Sequence, residues 1–473
     1  MSNLDVKSNL KVITNKQKTK VLYAEANSDF ADVLMSYLTL SLGTIVRVLK
    51  KQNQGIGIGS LTTLYKGLEN LNSVHFQTES CKQMLLNPKS SSEAGRHKLR
   101  LNLDDADQPT KYFKCSRTKC NFFSYPCVGM HRGGTRCDCG KSTMDKEISV
   151  RDPGGDSGDS GVYTMRTEHF IISDDLQIFP CVTGDVLRLL SNLGITDTDE
   201  IEQMDITFGF KESFLSRNPL TDIVLNKMNV DCVKSKYEIG TLVPEIAKSP
   251  TSNTKQFIVK AFFHESKNKI LFVEADDNFV EFLCSLLTVP LGGIERLLGG
   301  STTLKNIDNL YKSIQNINAD KYLKTQGAKT MLLNPKLPPG NKSAYQIFPL
   351  IEEIPRGFYF CKSSHFEFFS YHSTCDFRYQ PVSFRFPNGP IKYVTGPAMF
   401  MVTDDLIVTP LCATSSLSIF NRLKIPLSDV REMELNVGLQ EALSILRASL
   451  TSTCALTDGL INNIINKQPK QEH

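Results

Sequence analysis

Tryptophan is absent from this chain of 473 residues, and so is any apolar run near the roughly 18 residues that a membrane-spanning helix needs. An excess of one charge is missing too. The 54 basic residues are balanced by 50 acidic ones, a net +4, far from the surplus of a dedicated nucleic-acid binder, so any basic surface must be local. Nucleotide and hydrolase signatures are lacking: the chain has no GxGxxG, GxxxxGK[ST], HExxH or GxSxG. Its 8 histidines are scattered, which leaves no Ser-His-Asp or Cys-His set to propose. "GIGIGS" at 55–60 follows a helical pattern instead of a strand and reads as a loop.

The opening MSNLDVKSNLK has no apolar segment, so no secretory leader is expected. Without one, 13 cysteines, an odd number, read as reduced thiols in the cytoplasm or nucleus rather than a disulfide framework. The length exceeds what one hydrophobic core usually serves, and two or more domains are expected.

The strongest feature present is a repeat. "MLLNP" occurs at 84–88 and again at 331–335. Residues 12–49 set against 261–298, with no gap, give 15 identities in 38 positions, among them Glu25, Phe30, Leu34, Gly43 and Arg47. Unrelated segments would give about two, so the chain reads as a tandem duplication with a period too long for a solenoid. The expected units are residues 9–235 and 256–466, joined by a linker over 236–255 that contains KSPTSNTK.

Each half reads as mixed α+β. β-rich runs over Lys20–Glu25 and Lys269–Glu274 follow the polar turns TNKQKT and HESKNK, predicting an N-terminal hairpin. Phe30, Val33, Leu34, Tyr37 and Leu38 then fall at helical spacing, as do Phe279, Phe282, Leu283, Leu286 and Leu287, with N-cap candidates at 27–29 and 276–278. A further amphipathic helix carries Leu61, Leu64, Leu68 and Leu71, matched by Ile307, Leu310, Ile314 and Ile317. FIISDDLQIF and FMVTDDLIVT predict a strand pair turning at Asp174-Asp175 and Asp404-Asp405. Val430, Met433, Val437, Leu443, Leu446 and Leu450 suit C-terminal helices. Polar insertions at 90–109 and 152–161 have little to bury, and the second should be the least ordered stretch.

The hairpin–helix opening, the LYKS helix, MLLNP, CDCGK at 137–141 and above all GPAMFMVTDDLIVTP at 396–410 resemble the plant family catalogued as domain of unknown function 674. The likeness runs through both halves. It implies a plant protein, often doubled in this way, with no established activity and therefore no inherited catalytic residue. The first half departs at Thr164–Ser173, where the family's glycine-proline version is replaced and an altered strand is expected.

For chemistry, the cysteines stand out. Cys115 and Cys120, then Cys137 and Cys139, form two close pairs separated by a loop, the arrangement of a tetrahedral, structural Zn²⁺ site, with Cys127 or His131 as substitute ligands. Unligated thiols are the plainer alternative, because only Cys115 keeps a counterpart, Cys361, in the second half. Lys111, Lys114, Arg117, Lys119, Arg132, Arg136 and Lys141 interleave with Tyr112, Phe113, Phe122, Phe123 and Tyr125, as a single-stranded nucleic-acid surface would require. Yet FFSY recurs in the half without the basic cluster, which favours core packing. The aspartate pairs read as turn caps, since neighbours on a strand point to opposite faces. Glu25, Arg47, Glu274 and Arg296 recur as a possible polar site, or as ion pairs. The balance favours a non-enzymatic interaction or regulatory protein with a protein partner. Two alternatives stand beside it: a small-molecule enzyme or binding protein with its site between the halves, and nucleic-acid binding through the basic cysteine segment.

Overall fold

The computed structural model describes residues 7–51, 57–90, 111–117, 128–133, 136–137, 139–140, 142–148, 150–151, 162–166, 168–209, 218–225, 255–353, 359–362, 367–370 and 390–460. The insertions 91–109 and 152–161 and, save Lys255, the expected linker 236–255 lie outside them.

The chain opens with the hairpin β1 (Lys7–Asn15) and β2 (Val21–Asn27). Its turn closes on Asn15, whose carboxamide oxygen accepts the amides of Thr19 at 2.8 Å and Lys20 at 2.9 Å, while Lys18 takes φ 51°. Helices α1 (Ser28–Ser36), α2 (Leu42–Lys51), α3 (Gly59–Asn70) and α4 (Glu79–Leu86) follow. Then come β3 (Tyr112–Cys115), β4 (Val128–Gly129), β5 (Met144–Ile148), β6 (Val150–Arg151), β7 (His169–Ser173) and β8 (Ile178–Pro180). Helix α5 (Thr183–Asn192), β9 (Ile201–Gly209) and α6 (Pro219–Val224) complete this part.

The order then recurs. β10 (Phe257–His264) and β11 (Lys269–Asp276) form a hairpin, followed by α7 (Asp277–Leu286), α8 (Leu291–Leu297), α9 (Lys305–Asn316), α10 (Ala319–Tyr322) and α11 (Gln326–Leu333). β12 (Tyr359–Lys362), β13 (Glu367–Ser370), β14 (Met399–Thr403), β15 (Val408–Pro410), α12 (Ala413–Leu423), β16 (Val430–Val437) and α13 (Leu439–Thr451) finish the chain. The predicted N-caps are seen: Asn27 accepts the Phe30 amide and Asp276 that of Phe279, each at 3.0 Å.

Two five-stranded antiparallel sheets carry the fold, in the orders β8-β7-β2-β1-β9 and β15-β14-β11-β10-β16. Helices packed with these two antiparallel sheets make the protein α+β, and a short parallel pairing joins β6 to β13. The departure at Thr164–Ser173 leaves a regular strand, since β7 pairs with β2 through Tyr23–Ser173 to Asn27–His169. The helical reading of Val430, Met433 and Val437 needs correction. They belong to β16, which pairs with β10 from Val430–His264 to Val437–Phe257. In REMELNV the inward Leu435 and Val437 alternate with exposed Glu434 and Asn436, a period of two that Val430 and Met433 disguise as three to four.

The Asp-Asp turns have one shape. Leu176 and Leu406, the third residue of each, adopt left-handed φ of 59° and 65° and yet are buried. For a leucine that conformation costs roughly 1–2 kcal/mol, offset by burying its side chain. The largest apolar cluster runs from Leu10 in β1 to Leu460 at the end of the described chain, and a smaller one gathers Leu271, Phe272 and Met401 under α12.

Candidate metal centre and buried acids

Cys115 ends β3 at an irregularity in its pairing with β5. Cys137 and Cys139 occupy a tight turn: the Cys137 amide donates to the Ser142 carbonyl at 2.9 Å and the Gly140 amide to the Cys137 carbonyl at 2.8 Å. Gly140 has φ 68°, the left-handed conformation that makes glycine apt there. The turn brings the three Sγ atoms within 4.8 Å of one another, with Cys115 and Cys139 at 3.9 Å. Sulfurs around one tetrahedral Zn²⁺ sit just under 4 Å apart, given Zn–S bonds of about 2.3 Å, so a small contraction would close the three on an ion. Phe113 and Met144 pack beside them and exclude water from one side.

The other candidates fall elsewhere. Cys120 and Cys127 lie outside the described residues. His131 is not in the thiol cluster; burial and the Lys89 charge push its pKa down to about 3, so the imidazole is neutral. Glu25 stands on the outer side of β2, opposite Lys11 on β1 and 3.9 Å from His169 Nδ1. Arg47 is on α2 near Tyr65, and Arg296 donates to Asn334 Oδ1 at 2.5 Å. Glu274 is on β11, opposite Lys260. Tyr112 and Phe113 are buried, which takes them out of any stacking surface.

The acids that matter structurally were not singled out by sequence. Asp32 in α1 and Glu281 in α7 are both 0% exposed. Asp32 accepts the amides of Val162, of Tyr163 at 3.1 Å and of Thr164 at 2.7 Å. Glu281 accepts those of Tyr393 at 2.9 Å and Val394 at 2.8 Å, together with the Ser343 hydroxyl at 2.7 Å. Burial raises both pKa values, and the donated hydrogen bonds oppose the rise. A signal existed: beyond the capping residues of its first turn each helix is apolar or small except for an acid at both equivalent positions.

Asp174 and Asp404 are turn residues with a further task. Asp174 accepts the amide and hydroxyl of Thr221, whose Oγ1 accepts the Val21 amide. Asp404 accepts the Thr457 amide, and Thr457 Oγ1 accepts that of Ile270. Glu295 has no acidic counterpart, since Val46 holds the equivalent place. It is fully buried beside Asp308 and Thr302, and burial with the Asp308 charge pushes its pKa up to about 9.

Buried carboxylates that accept backbone amides, a three-thiol cluster and two sheets of one strand order are the features of this α+β protein. The sequence profile of a family described as "Protein of unknown function (DUF674)" matches residues 5–436, and the chain belongs to that family. No curated protein and no solved structure matches the chain. No helix among the described residues is long and apolar enough to cross a membrane.

Proposed function

We propose that this is a non-enzymatic interaction or regulatory protein of the cytoplasm or nucleus, acting on a protein partner. It is built from two copies of one unit, over residues 9–235 and 256–466. The observation that carries this reading is where the buried carboxylates go. Asp32, Glu281, Asp174 and Asp404 each hold a loop or helix end by accepting backbone amides, a structural task that accounts for their burial without calling on proton transfer.

The cysteine insert of the first unit carries a structural Zn²⁺ on Cys115, Cys137 and Cys139, with Cys120 as fourth ligand and Cys127 or His131 as its substitutes. A sulfur-rich tetrahedral set suits zinc and leaves no open position for catalysis.

The test is native mass spectrometry and elemental analysis of the full-length protein purified without chelators, read for zinc, iron, copper and small molecules. One zinc per chain and no stoichiometric metabolite is the expected result. A tightly bound metabolite would overturn the interaction reading, and metal-free protein would overturn the zinc.

A further inference from the structure

The two halves meet across a seam, formed by helices and connecting segments, whose contacts come in reciprocal pairs. The Leu42 amide donates to the Val289 carbonyl at 3.0 Å, and the Leu291 amide to the Leu40 carbonyl at 2.8 Å. These are the same bond with the halves exchanged, because positions 42 and 291, like 40 and 289, are equivalent in the repeat. The two central glycines obey the same rule. A Cβ on Gly43 would sit 3.0 Å from the Leu287 carbonyl oxygen, and one on Gly292 would sit 3.1 Å from that of Leu38.

Further out, the Gln77 amide donates to the Tyr393 carbonyl and the Thr395 amide to that of His75, both at 2.8 Å. Their mirror images are Lys324 to Tyr163 at 2.9 Å and Met165 to Tyr322 at 3.0 Å. At the rim, α3 packs on β15 and α13, while its counterpart α9 packs on β8. Thr63 Oγ1 donates to the Asp405 carbonyl, and Asn309 Nδ2 to that of Asp175 at 3.0 Å. The segments presented at the seam, 162–165 and 393–395, are the ones that Asp32 and Glu281 hold from behind.

Contact of i with j answered by j with i is the geometry of a two-fold homodimer interface. A surface shaped only to seat a covalently attached neighbour has no need of it. We propose that this seam is a self-complementary docking surface closed within one chain, and that the partner it fits is the matching half of a second copy of this protein. The inference rests on the two-unit reading above and is independent of zinc. Tethering keeps the local concentration of the attached half high, so pairing within one chain prevails until the tether is cut.

The experiment uses the full chain, folded first and then cut at a protease site inserted within residues 236–254. Unlabelled and ¹⁵N-labelled cut protein are mixed and followed by native mass spectrometry. The expected result is one-to-one pairs of halves, with hybrid pairs rising to about half of the total in an equal mixture, as free exchange requires. Halves that part into monomers, or pairs that stay wholly parental, would overturn the docking. Parental pairs would still leave the two-unit reading standing, so the two failures can be told apart.

Discussion

The carboxylate of Glu281 grips the amide of Tyr393 with both oxygens, at 2.9 and 3.1 Å, across 112 residues of chain. Removing it would leave the amides of Tyr393 and Val394 and the Ser343 hydroxyl buried without an acceptor. Each such orphan costs about 1–3 kcal/mol, so Glu281→Ala should destabilise the protein by at least about 3 kcal/mol. Asp32→Ala should do the same in the first half. Glu274→Gln, on a half-buried site with no such grip, should stay within about 0.5 kcal/mol. Denaturant midpoints of the three variants decide this, and equal effects of Glu281→Ala and Glu274→Gln would refute it.

Glu295 should make stability depend on pH. Below its ordinary value of 4.5 the carboxyl is protonated whether the chain is folded or unfolded. Between there and about 9 the unfolded chain sheds a proton that the folded chain keeps, so stability falls as pH rises. Above about 9 the folded group ionises too and the loss stops. Asp308, Thr302 and Lys312 face it, and only a neutral group fits beside the Asp308 carboxylate. Glu295→Gln should abolish this slope, retaining about 2–4 kcal/mol that the parent loses between roughly pH 5 and 8. Urea titrations at several pH values measure it; parallel profiles for parent and variant would remove Glu295 as the cause.

What the sequence revealed were elements with a strong period. The hairpins and the helices carrying Phe30 and Phe279 were legible because apolar spacing and capping residues agree there. β16 was lost because its exposed end carries Val430 and Met433, which mimic a helical stripe. Asp32 and Glu281 escaped because a periodicity argument assigns an acid beside an apolar stripe to solvent, whereas α1 and α7 are buried all round. The cysteine cluster was legible as composition, but not its geometry. The approach of Cys115 to Cys139 depends on β3–β5 pairing and on the Gly140 turn, neither of which spacing alone encodes.

The thiol cluster predicts a graded loss of metal. Cys137→Ser and Cys139→Ser should each reduce zinc from one per chain to near none, because serine is a poor ligand for this ion where thiolate is a good one. Cys412→Ser, far from the cluster in sequence and exposed, should retain it. The loss should also loosen the β3–β5 pairing, visible as faster amide exchange at Phe113 and Lys146, while β10 and β11 stay protected. Unchanged zinc in Cys137→Ser would remove that sulfur from the ligand set.

Two exposed cysteines at matching ends of strand pairs should differ in reactivity. Cys412 is the N-cap of α12; its sulfur lies 2.9 Å from Thr414 Oγ1, and that hydroxyl, with the amides of Thr414 and Ser415, lowers its pKa. The positive end of the helix works in the same direction. Cys181, which follows β8, is pushed the other way by partial burial and by the Glu25 charge. At neutral pH more of Cys412 is therefore thiolate, the form that attacks alkylating agents. Under limiting iodoacetamide Cys412 should be labelled several-fold faster than Cys181. Glu25→Gln should narrow the gap by speeding Cys181, and Thr414→Val should narrow it by slowing Cys412. Site-resolved mass spectrometry reads both rates, and a faster Cys181 would show that access outweighs ionisation at these two positions.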